Sequence, residues 1–218
     1  MERLSDSRRS SLWNAAVEFY HQLPGSPAEE FLATRGLQAE DISEAVNKFK
    51  LGYVADPLPG FEQYQGMLAI PYLRRHPRHS WSCISLRFRT LKPGVKPKYQ
   101  SMPGDKPRLF NTQALNVNTP TVGITEGELD AVTATACGLP TVGVPGAQLW
   151  QPHWSELFRG YETVYIFTDG DEPGAVLGNT VASRIPQSKV RPAPPGMDLN
   201  DLLLERGADE LRNYLHKA

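Results

Sequence analysis

Apolar positions along this 218-residue chain recur first with helical spacing and then with strand spacing. Trp13, Ala16, Val17, Tyr20 and Leu23 predict an amphipathic helix over residues 10–23. A second helix is expected in PGSPAEEFLATRG. Ser26 is a natural N-cap, Pro27 suits the first turn, Glu29 completes a capping box, and Gly36 would end the helix. A third, short helix is expected over residues 40–47. KFKLGYV, GMLAIPYL and WSCISLRFR then read as strands separated by Pro, Gly and charged turns. LKPGVKPKYQSMPGDKP reads as an ordered loop or a flexible arm.

From about residue 115, strands and helices alternate. TVGITEG, LPTVGVPG, ETVYIFTDGD and SKVRPA predict strands. ELDAVTATACG, a segment around 149–158, residues 174–185 and DLNDLLLERG predict helices, and DELRNYLHKA closes the chain. Such β-α-β-α order implies a parallel sheet with helices on both faces. The expected fold is therefore α/β, with a smaller basic α+β subdomain over residues 1–112 and a parallel-sheet domain over 113–218. No internal repeat or low-complexity tract interrupts it.

Composition narrows the picture. The apolar runs are too short to span a bilayer, and MERLSDSRRSS lacks the apolar core of a secretory signal. No membrane partner is expected, and the default location is the cytoplasm, that of the host if the protein is phage-encoded. Cys83 and Cys137 are too few and too far apart for a zinc ribbon or disulfide framework, and they read as small buried hydrophobes. The net charge of −1 hides an asymmetry. Residues 72–108 hold ten Lys/Arg and one acid, Asp105, whereas residues 1–71 have net charge −4 and residues 109–218 net charge −6. The basic middle is either a polyanion contact or a solvated charged face.

The acidic residues decide more. Glu126 closes the first strand of the alternating region, Asp169 and Asp171 close the third, and Asp198, Asn200 and Asp201 follow the fourth. In parallel α/β sheets, ligands bind beyond the carboxyl ends of the strands. Carboxylates gathered there repel one another unless a cation offsets the charge, and hard oxygen donors suit Mg²⁺ or Mn²⁺. Gly170 would let the chain turn tightly enough for Asp169 and Asp171 to converge. Any one of these clusters is equally a helix cap or an Asp-Gly turn. Three at successive strand ends argue for a site.

GITEGELDA, FTDGDEPG and GMDLND resemble, in order and spacing, the three acidic elements of the TOPRIM fold of bacterial and phage primases, topoisomerases and some nucleases. Upstream, FLATRGLQAEDISEAVNKFKLGYV, AIPYL, SLRFR and PKYQSMPG resemble elements that primases carry and that topoisomerases and simple TOPRIM nucleases do not. The resemblance covers most of residues 28–216. It implies the catalytic core of a DnaG-type DNA primase in a bacteriophage-like, stand-alone form. This is a nucleotidyltransferase (DNA-directed RNA polymerase) that makes short RNA primers on single-stranded DNA from nucleoside triphosphates during DNA replication.

By the same resemblance Glu126, Asp169 and Asp171 are catalytic, with Glu126 either a metal ligand or the general base. The implied metal set is Glu126, Asp169, Asp171, Asp198, Asn200 and Asp201, and Asp130 either orients the site or caps its helix. Arg87 and Lys98 are the chief nucleotide and template contacts, with Lys96, Lys106 and Arg108 beside them, because polyphosphate needs point charges and forked donors. Tyr99 and Trp81 either stack on bases or pack in the core, and His76 and His79 read as solvated. The sequence departs from the family at Pro173 and Ala175, where Ala and Arg are usual, and at Asn200, where many primases carry a carboxylate. Neither a cysteine-rich zinc module nor a helicase P-loop is present, so a separate helicase or zinc-module chain is an expected partner. A metal-dependent TOPRIM nuclease and a non-catalytic single-strand or helicase-binding module are the alternatives.

Overall fold

The structure, a computed structural model, describes residues 4–76 and 80–216. His79 and the side chain of His76 lie outside what is described. The chain forms two compact units that do not follow a single boundary. One comprises the residues through Thr34 together with Asn47–Lys106, and the other comprises Arg35–Val46 together with the chain from Pro107 onward. The division expected at 112/113 falls inside the second unit.

The first unit contains α1 (Asp6–His21), α2 (Pro27–Ala33) and an antiparallel sheet. Its strands run in the order β1 (Gly52–Tyr53), β2 (Met67–His76), β3 (Ser80–Thr90), β4 (Tyr99–Ser101). α1 begins earlier than the apolar pattern suggests, because the Ser5 hydroxyl accepts from the Arg8 amide at 3.2 Å and caps it. It buries Leu12, Ala15, Ala16 and Phe19, and leaves Trp13 partly covered. The small residues Ala15 and Ala16 sit on the buried face, and α1 packs chiefly against β3. Phe19, Phe61, Tyr64 and Phe88 form the aromatic centre of this core, with Tyr64 stacked on Phe88 at 3.8 Å.

The capping of α2 follows the expectation closely. Ser26 accepts from the Glu29 amide at 3.3 Å, and the Glu29 carboxylate accepts from the Gly25 amide at 2.7 Å. KFKLGYV yields only a two-residue strand. The Pro/Gly/Lys stretch is ordered, since β4 arises inside it and pairs Tyr99 with Arg89 and Ser101 with Arg87. Asp105, the single acid of that basic region, accepts from the Ser85 hydroxyl at 2.6 Å and ties the stretch back to β3. Both cysteines are buried and free.

The second unit contains α3 (Glu40–Asn47), β5 (Thr121–Thr125), α4 (Glu128–Ala136), β6 (Thr141–Gly143), β7 (Thr163–Thr168), α5 (Glu172–Ala182), β8 (Ser188–Pro192) and α6 (Leu199–His216). The strand order is β6-β5-β7-β8, and every pair is parallel. Alternate residues of a strand face opposite sides. Val122, Ile124, Val164 and Ile166 share one core with Leu177 and Val181 of α5. On the other side Phe167 meets Tyr214 of α6, with ring centroids 6.2 Å apart. Helices therefore cover both faces, as the alternating pattern implied.

The segment around 149–158 departs from that pattern. It forms 3₁₀ turns at Ala147–Leu149 and Pro152–Phe158 instead of an α-helix. Pro152 supplies no amide donor, and the short run exists to plug Trp150, Trp154 and Phe158 into the core. α6 is two helical pieces joined at Gly207, whose φ of 77° breaks the helix where the two predicted segments meet. No helix among the described residues is long and apolar enough to cross a membrane.

Candidate active site

The acidic residues occupy the carboxyl ends of β5, β7 and β8, each at the entry to a helix. Glu126 and Gly127 link β5 to α4. Asp169 follows β7, and Asp171 is the N-cap of α5, its carboxylate accepting from the Gly174 amide at 2.9 Å. Asp198 immediately precedes α6. A Cβ at Gly170 would overlap the carbonyl oxygen of Pro194, so glycine is needed there for close approach to the neighbouring loop. This reason is distinct from the tight turn expected from the sequence.

Asp198 and Asp201 cap one another. The Asp198 carboxylate accepts from the Asp201 amide at 2.9 Å, and the Asp201 carboxylate accepts from the Asp198 amide at 3.0 Å. The other Asp198 oxygen accepts from Arg35 at 2.7 Å, and Arg35 also stands 3.9 Å from Asp201. Arg35, in the R-G-L element, belongs to the same unit as these carboxylates although it lies 163 residues upstream of Asp198. Sequence reading did not assign it to the acidic site.

Asn200 is placed differently from the expected metal ligand. It is 1 % exposed, its side-chain oxygen accepts from Thr133 at 2.8 Å, and its amide donates to Asp130 at 2.7 Å. Its polar atoms are engaged within the protein, so it positions Asp130 in place of facing a ligand. Asp130 thereby becomes part of the acidic group. Burial pushes its carboxyl up to about 8, and the charges of Asp198 and Asp169 add to the shift while Arg35 opposes it. Asp130 thus lies within electrostatic reach of Asp169 and Asp198.

This donor set consists of hard carboxylate oxygens whose mutual repulsion a divalent cation would relieve, so its chemistry fits Mg²⁺ or Mn²⁺. Among the described residues, no three His, Cys, Asp or Glu side chains stand in metal-holding geometry.

The basic candidates divide between the units: Arg108 lies in the second, and Arg87, Lys96, Lys98 and Lys106 in the first. Lys96, Lys98 and Lys106 are exposed. Arg87 and Arg89 lie two residues apart, on one face of β3. The Arg87 guanidinium stands 4.9 Å from the Tyr99 ring centroid. Arg89 donates to the Tyr99 hydroxyl at 2.8 Å and also lies over Phe31 at 4.6 Å. Tyr99 is thus held by two arginines. Arg89, buried and absent from the sequence-based candidates, was signalled only by its two-residue spacing from Arg87.

No family model matches the chain. The Gene 57 protein of Mycobacterium phage D29 is 53 % identical over 148 residues, covering 68 % of this chain and 97 % of that protein. The chain belongs to the family of that phage protein. The fold of this chain is in turn similar to that of DnaG. The RNA polymerase domain of Mycobacterium tuberculosis primase DnaG superposes with a TM-score of 0.77 at 19 % identity, covering 98 % of this chain and 84 % of that domain. A DnaG primase catalytic domain bound to single-stranded DNA gives 0.71 at 17 % identity, covering 97 % and 82 %. This gene 57 family member therefore has the α/β fold of the DnaG primase catalytic core, as its TOPRIM-like and upstream motifs implied.

Proposed function

We propose that this protein is a DNA primase catalytic core, a nucleotidyltransferase that joins nucleoside triphosphates into short RNA primers on single-stranded DNA. The observation that carries the reading is the placement of Glu126, Asp169, Asp171 and Asp198 beyond the carboxyl ends of β5, β7 and β8 of one parallel sheet, in a chain with the DnaG core fold.

Glu126, Asp169 and Asp171 would hold Mg²⁺ or Mn²⁺, with Asp198 and Asp201 contributing. Bound there, the cation would supply charge stabilisation to the reacting phosphates. The remaining work falls to the chain itself. Glu126 would either share in holding the cation or accept the proton of the attacking 3′-hydroxyl. Arg35 neutralises Asp198 and holds it in place, and Thr133 and Asn200 fix Asp130. Arg87 and Lys98, assisted by Lys96, Lys106 and Arg108, would hold the triphosphate and the template backbone through charge-assisted hydrogen bonds. Tyr99 orients the Arg87 and Arg89 guanidiniums from the facing strand.

The deciding experiment supplies labelled ribonucleotides, single-stranded DNA and Mg²⁺ or Mn²⁺ to the protein and to Asp169→Ala. Short labelled oligonucleotides are expected, reduced by about a hundredfold or more in the variant, which should melt like wild type. Absence of product, with or without an added helicase or zinc-module chain, would overturn the proposal. Strand cleavage without nucleotides would favour a nuclease. Metal-independent binding alone would favour a non-catalytic module.

A further inference from the structure

A second feature lies wholly within the first unit and does not depend on the acidic site. A groove of about 260 Å³ runs between the first turns of α1 and the start of β3, and its lining includes Arg9, Trp13, Asn14, Trp81 and Ser82. Two indoles border it without being fully buried. The Arg75 guanidinium stands 4.4 Å from the Trp81 ring centroid, which sets a second cation against one of the two indoles. Ser82 is 6 % exposed, and among the described residues neither its hydroxyl nor the buried Nε of Arg9 has a hydrogen-bond partner. Buried donors left unpaired are costly, so two of them beside one groove point to an acceptor that is absent.

The missing partner must offer a flat π-face, hydrogen-bond acceptors and negative charge. We infer that this groove binds one unpaired nucleotide of a single-stranded nucleic acid, its base against Trp13 or Trp81 and its phosphate toward Arg9 and Arg75. Stacking on aromatic side chains beside basic groups is the sequence-tolerant chemistry of single-strand binding. The groove is smaller than a drug-sized ligand site, which suits a single base. Asp6, the one carboxylate in the lining, disfavours a free triphosphate and favours a strand with one charge per phosphate.

The test uses the full chain in EDTA, so that the carboxylates contribute no metal-dependent binding. Tryptophan emission and the anisotropy of a labelled twelve-residue oligothymidylate are followed together. Binding should quench emission, and both Arg9→Ala and Trp81→Ala should weaken it by about tenfold. This binding is read without metal or nucleotides, so failure of the wild-type protein to make primers would count against the proposed function and leave the groove standing. Arg9 is partly exposed on α1, and Trp81→Phe, which keeps an aromatic ring, should retain most of the affinity; both variants guard against misfolding at Trp81→Ala. Wild-type affinity in a natively folded Arg9→Ala or Trp81→Ala protein would overturn the inference. So would equal quenching by thymidine monophosphate alone or by an aromatic peptide.

Discussion

Asn200 and Arg35 show how the environment of a carboxylate decides its role. Asn200 stands in a motif where many primases carry an acid, so it read as a weak ligand. Its amide is instead spent on Thr133 and Asp130 inside the fold. No spacing rule reveals that, because Thr133 lies 67 residues away. The carboxylates at the strand ends were legible because they follow three of the four predicted parallel strands. Arg35 was not, because its partner lies so far along the chain. The raised carboxyl of Asp130 yields a test. A folded-state value above the unfolded one means that the native protein holds the proton longer. Stability therefore falls as pH climbs from about 4, the ordinary carboxyl value, toward about 8. Asp130→Asn keeps the oxygen that accepts from Asn200 and removes this loss. The variant should melt close to wild type near pH 4 and above it by several degrees near pH 8. A gap that does not change with pH would refute the shifted carboxyl.

Elements with a strong period were read well, and those governed by packing or by single residues were not. β5, β6 and β7 lie in the apolar runs that predicted them, and β8 (SKVRP) lies at the short fourth strand expected there. The 3₁₀ turns at Pro152–Phe158 escaped notice because buried aromatics four residues apart also fit an α-helix. β4 escaped because it is three residues long and sits between prolines, and only its pairing with β3 makes it a strand. β8 is the outer strand of the parallel sheet, and it carries Lys189 and Arg191, charges that discourage pairing with another chain. The β7–α5 junction makes the sharpest demand at this scale. Gly170→Ala would drive its Cβ into the Pro194 carbonyl, separating the loop after β7 from the loop after β8. A loss of about 1–3 kcal/mol in denaturant unfolding is expected, together with loss of primer synthesis, since both loops carry carboxylates. Wild-type stability would show that the loops yield without cost.

For the whole molecule, the sequence conveyed two units but not how the chain is shared between them. A composition shift suggested one cut near residue 112, whereas the chain passes from one unit to the other three times. Residues 35–46 belong with the parallel sheet, where Gly36 approaches Leu203 so closely that an added Cβ would lie 2.9 Å from it. No local pattern encodes that pairing. A fragment beginning at residue 107 should accordingly melt below the corresponding transition of the full chain, and supplying residues 35–46 at its N-terminus should restore much of the difference. Identical melting of the two fragments would show that the segment is dispensable. The interleaving also sets a clock during synthesis. Arg35 leaves the ribosome 163 residues before Asp198, which at about 5–20 residues per second is a wait of roughly ten to thirty seconds. Throughout that interval Ile42 and Val46, apolar side chains that end up buried, travel on a nascent chain whose parallel sheet is still unmade. Translation speed and chaperone occupancy over this stretch should therefore govern the yield of active protein more than the final stability does.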